Sequence, residues 1–267
     1  MSTQEHEPTA EILRDPKVYL VGRQTVDDAA LAAFLNDHDV ETWSTDTGVA
    51  GEKLIEVAGR LCYMSFAKPR PGGNAAYIGH ILEVGHGSVL EHSVYNLILT
   101  GVSRSFTHEL IRHRAGFGYS QLSQRFVDES SCAFVEPDAI ADDPELHRVW
   151  LEAVQHSQRA YRALADGLAA RFSDIPDRTL RRKKAREAAR SVLPNATETK
   201  VFVTANGRAL RHFIEMRADP AADAEIRKVA VAVLKVLQVE SPNLFGDYTL
   251  TDLPGGGQSA STPHRKV

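Results

Sequence analysis

The sequence predicts a mixed α/β protein of the α+β type. Short segments whose apolar residues alternate, as in strands, are interspersed with longer segments whose apolar residues recur at helical spacing. The chain has neither a G-x-G-x-x-G loop nor a Walker loop, which argues against a Rossmann or P-loop nucleotide site. A bound nucleotide would therefore have to be held by side chains.

In the first half of the chain, residues 18–21 predict a short strand that ends at Gly22, and residues 27–36 predict a helix rich in Ala and Leu. A second helix is predicted at 77–84, where Gly85 closes it. Residues 94–99 alternate as a strand does, and residues 103–113 are expected to form the next helix.

The second half begins with a strong helix signal, because Asp143 is a good N-cap and Pro144 suits the first helical position. This helix is expected to run to about Phe172. Further elements are predicted as a helix at 186–192, a strand at 200–204, a helix at 208–216 capped by Asn206, and a final helix around 226–237. The long helix is expected to bury Leu146, Trp150, Val154, Tyr161, Leu164 and Leu168.

Composition limits the classes of protein that the chain can represent. With 267 residues, of which 43% are hydrophobic, it can bury a substantial core, and we expect one domain over 17–250 with flexible tails at 1–16 and 251–267. A net charge of −4 does not favour bulk nucleic-acid binding. The sequence shows no signal peptide and no apolar run of membrane length, so a cytoplasmic protein is expected. Cys62 and Cys132 are expected to be buried small hydrophobic residues.

The segment 112–125 holds three arginines, one histidine, two serines and two glutamines. An unpaired buried charge costs about 3–5 kcal/mol, so these arginines need partners. The planar guanidinium group matches phosphate and carboxylate, and Ser and Gln can hydrogen-bond a base or a sugar. The segment therefore predicts a binding site for an anionic ligand.

Arg112-His113-Arg114, followed by Ser-Gln-Leu-Ser-Gln-Arg at 120–125, resembles the signature of flavin-dependent thymidylate synthases (ThyX). Blocks at 85–92, 189–194 and 204–219 resemble further family blocks in the same order, and together the blocks cover about 55–245. The family motif has seven residues between its second arginine and its serine. This chain has eight residues between Arg114 and Ser123, because of an insertion near Ala115.

The resemblance implies a largely antiparallel sheet flanked by helices, and a homotetramer whose active sites lie between subunits. It implies C5-methylation of a uridylate without a cysteine nucleophile. The carbon donor would be 5,10-methylenetetrahydrofolate, the hydride donor reduced FAD, and the reductant of the flavin NADPH. The protein's own part would then be orientation and electrostatics.

The resemblance also assigns roles to individual residues. Arg217 would stabilise charge beside the pyrimidine O2, and His86 would lie near flavin and folate. Ser123 would bind the nucleotide, since no base is available to activate its hydroxyl. These three form the expected catalytic centre. The nucleotide-binding residues are expected to be Glu109, Arg112, Gln121, Leu122, Ser123, Arg125, Arg190 and Arg217. The flavin side is expected to comprise His86, Ser88, Glu91, Arg112, His113, Arg114, Asn206, Arg208 and His212.

Other interpretations remain open for several of these features. His86 could be an ordinary surface-loop histidine. No metal site is expected, because His108 and His113 are five residues apart and do not share a helical face. The basic segment 178–190 is typical of a solvated helix face at Arg178, Arg181, Lys183 and Lys184. An RNA-binding role for that segment is the remote alternative, and the lack of aromatic residues around it argues against such a role.

The insertion beside Gly116 and Gly118 suggests a difference in substrate. Glycines let the longer loop bend into unusual backbone regions, and a wider sugar pocket would admit a 2′-hydroxyl. The hypothesis is that the enzyme accepts UMP as well as dUMP. The equally open alternative is a harmless loop variation in a strictly dUMP-specific enzyme.

Overall fold

The computed structural model describes residues 10–68 and 70–267. Helices and strands are mixed along the chain. The strands are β1 (Ile12–Leu13), β2 (Lys17–Arg23), β3 (Val94–Ser103), β4 (Phe117–Gln121), β5 (Phe134–Val135), β6 (Glu198–Asn206), β7 (Thr249–Asp252) and β8 (Gln258–Ser261). The helices are α1 (Asp28–Asp37), α2 (Ala50–Leu61), α3 (Gly73–Glu83), α4 (Arg104–Leu110), α5 (Asp138–Ala141), α6 (Pro144–Arg171), α7 (Arg178–Ala189), α8 (Gly207–Arg217), α9 (Ala224–Glu240) and α10 (Pro242–Phe245), with 3-10 turns at Gly87–His92 and Arg190–Val192.

Within the described residues, the largest sheet has the strand order β2-β3-β6-β4. Two small sheets accompany it, a parallel pair of β1 with β5 and an antiparallel pair of β7 with β8. The expected class of helices mixed with antiparallel sheet is confirmed.

The chain divides into two compact units. Of the described residues, the first unit comprises 10–16, 100–110 and 120–201, and the second comprises 17–68, 70–99, 111–119 and 202–267. Their borders fall inside β3, β4 and β6, so the chain passes repeatedly from one unit to the other. A single catalytic domain over 17–250 stays a prediction.

In the second unit, the core lies where α8 and α9 pack together. Phe213 and Ile214 of α8 are buried, as are Ile226, Val229 and Leu234 of α9. Helix α8 begins where predicted, because the Asn206 side chain accepts a hydrogen bond from the Ala209 amide at 2.8 Å. The site residues that α8 carries are therefore placed by a well-anchored helix.

In the first unit, the long helix α6 packs against α7. Its start is confirmed, since the Asp143 carboxylate accepts from the amides of Glu145 at 2.9 Å and Leu146 at 3.1 Å. The predicted buried face is only partly correct. Val154 and Tyr161 are buried, whereas Leu146 is 50% and Leu164 40% exposed, and Trp150 and Leu168 are half-buried. Only a narrow stripe of this 28-residue helix is covered within its own unit.

The prediction of a flexible C-terminal tail is wrong. The glycine-rich stretch is the turn of the β7–β8 hairpin, where Gly256 and Gly257 adopt φ of 87° and 75°. The Ala260 amide donates to the carbonyl of Ala218 at 2.9 Å, and this ties the hairpin to the end of α8. The glycines that the sequence analysis assigned to a flexible tail therefore form a hairpin turn. Long-range contacts hold the strands of that hairpin.

The predicted N-terminal tail is also wrong for the part that the structure describes. Residues 12–13 form β1, and the Glu136 amide donates to the carbonyl of Leu13 at 2.9 Å. The Arg14 guanidinium pairs with the buried Glu136 carboxylate at 2.8 Å. Residues 1–9 lie outside the described residues.

Several smaller differences follow from tertiary contacts. The helix predicted at 103–113 ends at Leu110, and part of the anion-binding segment is the strand β4. Helix α2 was not predicted. Cys132 is half-buried, but Cys62 is exposed, contrary to expectation. Within the described ranges, no helix combines the length and the apolar character that a membrane crossing requires.

The C-terminal hairpin is anchored by Arg211, whose side chain is 2% exposed. Its guanidinium donates to both carboxylate oxygens of Asp247, at 2.7 and 2.8 Å, and the Thr262 hydroxyl also donates to that carboxylate. Burial alone would raise the pKa of Asp247, but these hydrogen bonds and the charge of Arg211 lower it below its usual value. The ionised carboxylate therefore stabilises the fold above pH of about 4, and this contribution is lost as the pH falls through the folded-state pKa.

We expect Asp247→Asn to lower the free energy of unfolding by about 3–5 kcal/mol at pH 7, because it leaves the Arg211 charge buried without its partner. The difference from the wild type should shrink as the pH falls below about 4 and through the lowered pKa of Asp247. Urea unfolding at several pH values measures both the loss of stability and its dependence on pH. Asp252→Asn, at an exposed position of β7, is the control and should change stability by less than about 0.5 kcal/mol. A difference that does not depend on pH would contradict the role given to Asp247.

Candidate active site

A cavity of about 370 Å³ in the second unit holds the centre of the predicted site. It is formed by the Arg-His-Arg motif on one side and the second half of α8 on the other. Its lining residues are Arg112, His113, Arg114, Ala115, Phe117, His212, Met216 and Arg217. The structure therefore brings together two blocks that lie about a hundred residues apart in the sequence.

The central contact of this cavity joins Arg217 to His113. The Arg217 Nε donates to the His113 Nε2 at 3.0 Å, so the ring accepts at Nε2 and carries its own proton on Nδ1. Burial, and then the positive charges of Arg217 and His212, lower the pKa of His113 to about 4. The ring is neutral at pH 7 and holds the Arg217 guanidinium without cancelling its charge.

Tyr119 fixes the backbone of the motif. Its hydroxyl donates to the carbonyl of His113 at 2.6 Å. Phe117 stacks on Tyr119 with ring centroids 5.7 Å apart, and the His113 ring meets Phe213 of α8 edge to face at 5.2 Å. Neither aromatic residue of β4 was predicted as a site residue. Recognition of 117–121 as a strand would have placed Tyr119 on the same face as Gln121.

The inserted residue lies in a loop that is fixed against α8. Gly116 has φ of 73°, and its carbonyl accepts from the Asn206 amide at 3.1 Å. A Cβ at this position would come within 2.8 Å of both the Asn206 side-chain amide and the Ala209 Cβ. Only glycine combines this backbone conformation with such close contact. The longer loop is thus built into the N-terminal end of α8.

The other flavin-side residues of the prediction also lie in the second unit. Arg208 forms an ion pair with Glu91 at 2.7 Å, and both side chains are exposed. His86 and Ser88 are exposed at the start of the 3-10 turn Gly87–His92. A Cβ at Gly87 would approach the Arg208 Nε to 3.0 Å, so this turn and the first turn of α8 are in contact.

Most of the predicted nucleotide-binding residues lie in the first unit instead. The Gln121 side-chain amide donates to the hydroxyls of Thr107 at 3.2 Å and Thr199 at 3.3 Å. Neither threonine was predicted as a site residue, and no local signal in the sequence links them to Gln121. The Leu122 amide donates to the carbonyl of Lys200 at 2.9 Å, so this N–H is committed to β6 rather than to a ligand.

Ser123 begins a turn. Its hydroxyl accepts from the Arg125 amide at 3.4 Å, and its carbonyl accepts from the amides of Phe126 and Val127. None of these contacts involves a general base, which agrees with a binding role. Arg125 pairs with Glu187 at 2.8 Å, while its Nε is buried without a hydrogen-bond partner among the described residues.

Arg190 and Glu109 are half-buried in the first unit, the former at the start of the 3-10 turn that follows α7 and the latter on α4. The basic side chains of α7 itself are variously exposed or tied to neighbours. Arg186 pairs with Asp128 at 2.8 Å, and the Lys183 ammonium lies 4.8 Å above the Phe126 ring. Across 10–68 and 70–267, no group of three or more His, Cys, Asp or Glu residues is arranged to hold a metal ion.

Comparison with known proteins supports the resemblance found in the motifs. Residues 46–243 match the family described as thymidylate synthase complementing protein. Proteins named flavin-dependent thymidylate synthase are similar over most of both chains. That of Mycobacteroides abscessus is 50% identical over 86% of this chain and 92% of its own, and that of Mycolicibacterium vanbaalenii is 52% identical over 83% and 88%. That of Corynebacterium glutamicum is 48% identical over 88% and 94%.

Among solved structures, the fold is similar to that of the UMP/dUMP methylase PolB from Streptomyces cacaoi bound with 5-Br dUMP. The TM-score is 0.64 at 21% identity, and the match covers 88% of this chain and 95% of PolB. At this identity the likeness concerns the fold alone.

The fold and the matched blocks define an enzyme of the methyltransferase class. The chain belongs to the family of flavin-dependent thymidylate synthases. The expectation drawn from the Arg-His-Arg motif and its companion blocks is thereby confirmed, while the roles of the individual site residues stay predictions.

We expect the His113 ring to stay neutral at pH 6 and to titrate at about pH 4, as histidine ring NMR shifts can show. Arg217→Gln should raise the pKa of His113, because it removes a neighbouring positive charge. Arg208→Gln, on the exposed first turn of the same helix, is the control and should leave this titration unchanged. A His113 that titrates near its ordinary value of about 6.5 would contradict the neutral acceptor assigned here.

Proposed function

We propose that this protein methylates C5 of dUMP. The carbon would come from 5,10-methylenetetrahydrofolate, the hydride from reduced FAD, and the electrons that reduce the flavin from NADPH. The observation that carries the proposal is the Arg217–His113 contact in the cavity lined by the Arg-His-Arg motif. Relatives about 50% identical over most of the chain, all named flavin-dependent thymidylate synthase, support the same reaction.

The residues on the flavin side suit a cofactor with anionic phosphates. Arg114 and Arg208 are exposed cations of the second unit, and Arg208 lies on the first turn of the 11-residue helix α8. When bound, reduced FAD supplies the hydride that turns the transferred methylene into a methyl group. Residues Ser88, Glu91, Asn206 and His212 would complete the flavin side, with His86 near flavin and folate.

Arg217 would act directly on the substrate. C5 of the pyrimidine would attack the electrophilic methylene carbon, whose bond to a folate nitrogen breaks, and C5 would then lose its proton. Enolate-like negative charge on the pyrimidine oxygens makes C5 nucleophilic, and a guanidinium beside O2 stabilises that charge. The neutral His113 ring orients that guanidinium without placing a negative charge beside it. Gln121, Ser123, Arg125 and Arg190 would hold the nucleotide, the last two at the phosphate.

A thiol nucleophile is not needed for this chemistry. Burial, and then the charge of Glu129, raise the pKa of Cys132 to about 12, so its thiolate is scarce at neutral pH. The C5 proton leaves to solvent and a methyl group takes its place. Loss of that proton is therefore the direct readout of the reaction.

We also propose that UMP is accepted. Support comes from the additional residue before Gln121 and from the fixed path that Gly116 imposes on the longer loop. PolB is named a UMP/dUMP methylase, but at 21% identity its substrates carry no argument for this chain. A strictly dUMP-specific enzyme with a silent insertion is the alternative.

A homotetramer with shared active sites is part of the proposal, as is a cytoplasmic location. Three apolar side chains exposed on α6 support contact with a second copy, since they would be covered there: Leu146, Val149 and Leu164. Light scattering of the purified protein should give four times the 29.4 kDa chain mass. Leu164→Glu should reduce that mass, and a monomeric wild type would contradict the tetramer.

The reaction is tested by tritium release from C5-labelled dUMP and UMP, incubated in parallel with FAD, NADPH and methylenetetrahydrofolate. We expect release from both nucleotides, and none when any co-substrate is omitted. Release from neither would overturn the proposed function. Release from dUMP alone would support a thymidylate synthase and would contradict the proposal that UMP is a substrate. A colourless protein that binds RNA with steep salt dependence would favour the RNA-binding alternative.

Variants test separately the binding of the nucleotide phosphate and the acceptance of UMP. Arg190→Gln should raise KM for dUMP about 10–100-fold, since hydrogen bonds to charged groups contribute about 1.5–3 kcal/mol. Arg181→Gln, on the basic helix α7, is the matched control and should leave KM unchanged. Deletion of Ala115 restores the family spacing and should lower UMP turnover relative to dUMP by about tenfold or more.

A further inference from the structure

Glu129 is a buried carboxyl group to which the proposed reaction assigns no role. It is 4% exposed, and its Oε1 has no hydrogen-bond partner in the part of the chain that the structure describes. A buried polar atom without a hydrogen bond costs about 1–3 kcal/mol, and more when it is charged. A group retained at that cost needs an explanation other than packing.

The segment around Glu129 shares its support with the turn that carries Arg190. The Glu129 amide donates to the hydroxyl of the buried Tyr161 on α6 at 3.3 Å. On the same helix, the Ser157 hydroxyl donates to the carbonyl of Val192 at 2.7 Å. One rigid helix of the first unit therefore holds both the buried acid and the turn of the proposed phosphate-binding arginine.

Arg104, at the start of α4, is hydrogen-bonded to the segment that follows the Arg190 turn. Its amide donates to the carbonyl of Thr197, and the next amide, of Ser105, donates to the carbonyl of Asn195, just after the Arg190 turn. Its Nη1 is buried without a hydrogen-bond partner among the described residues. Burial lowers the pKa of Arg104; the charge of Glu129 opposes this, and that of Arg190 adds to it. Arg104 is thus affected both by the charge of Glu129 and by that of Arg190.

Burial raises the pKa of Glu129 to about 7, against the lowering effect of Arg104. Glu198 and Asp128 also raise the pKa and Lys200 lowers it. The Cys132 thiol and the Tyr161 hydroxyl are further titratable groups on which Glu129 acts. Three of the charged groups have other partners: Asp128 pairs with Arg186, and Glu198 pairs with Lys200 and also accepts from the Gly101 amide. At neutral pH the neutral and ionised forms of Glu129 are both populated.

We propose that Glu129 is a positioning residue that acts through Arg104 on Arg190, and that it couples proton uptake to the binding of the nucleotide phosphate. This inference rests on the proposed function, in which Arg190 holds that phosphate. A phosphate dianion at Arg190 adds negative potential near Glu129 and favours its neutral form. The neutral acid in turn leaves the charges of Arg104 and Arg190 available to the phosphate.

The sign of the pH dependence follows. Below pH of about 7 Glu129 is already protonated, and binding needs no further proton. Above that pH the ionised Glu129 must take up a proton as the nucleotide binds, so affinity falls as the pH rises. The phosphate group itself is mostly a dianion above pH of about 7 and contributes little to the proton balance.

Isothermal titration calorimetry of the FAD-loaded enzyme with dUMP, in two buffers of different ionisation enthalpy, counts the protons taken up. At pH 7.2 we expect uptake of about half a proton per nucleotide in the wild type. Glu129→Gln should abolish this uptake and flatten the pH dependence of Kd, whereas Glu129→Asp should retain part of it. Glu152→Gln, an exposed acid on α6, is the matched control. Deoxyuridine, which lacks the phosphate, should bind without proton uptake.

Each outcome of the calorimetry either supports or overturns the role proposed for Glu129. No proton uptake in the wild type, or equal uptake in Glu129→Gln, would overturn the role of Glu129. If Glu129→Gln fails to fold, Arg104→Gln remains: loss of its positive charge should move the uptake to higher pH, and an unchanged profile also overturns the proposal. Failure of dUMP to bind the wild type at any pH would instead count against the proposed function.

Discussion

The junction at Asn206 is the feature on which the second unit's part of the site depends. Asn206 ends β6, its side chain caps α8, and its amide binds the carbonyl of Gly116. The next amide, of Gly207, donates to the carbonyl of Ser93 at 2.7 Å and so adds the end of the 3-10 turn. Three separate blocks of the family motif meet at one helix N-terminus. The direction of α8, and hence the position of Arg217, follows from this junction.

Three of the predicted site arginines, Arg217, Arg125 and Arg208, have side-chain partners that give them defined positions. Arg217 is held by a neutral histidine, which orients the guanidinium without neutralising it. Arg125 and Arg208 pair with Glu187 and Glu91, and in both pairs the side chains are 40–49% exposed. Ion pairs this exposed are worth about 0–1 kcal/mol, so an incoming phosphate can displace them at little cost. The protein is thus prepared for anionic ligands while each arginine keeps a defined position.

Local signals predicted the elements that depend on local interactions. The starts of α6 and α8 were correct because an N-cap residue satisfies amides only two or three positions away. Predictions that depend on distant partners were less successful. Tyr119 was missed because its role is visible only once 117–121 is known to be a strand, and the C-terminal tail is ordered by Ala218 and Arg211 rather than by its own residues. Likewise, the sequence could not predict that Leu146 and Leu164 of α6 are exposed, because their burial depends on packing with distant parts of the chain.

The sequence by itself determined the family and the chemical character of the site, because both are carried by residue types at fixed local spacing. It grouped arginines, serines and glutamines in the segment 112–125, which predicts an anionic ligand there. Only the tertiary structure decided that His113 is a neutral acceptor for Arg217, because burial and a guanidinium 104 residues away set its pKa. It also decided that Glu129 is buried near Arg104. The charge state of a side chain depends on its burial and on its neighbours in space, and local sequence spacing predicts neither of these.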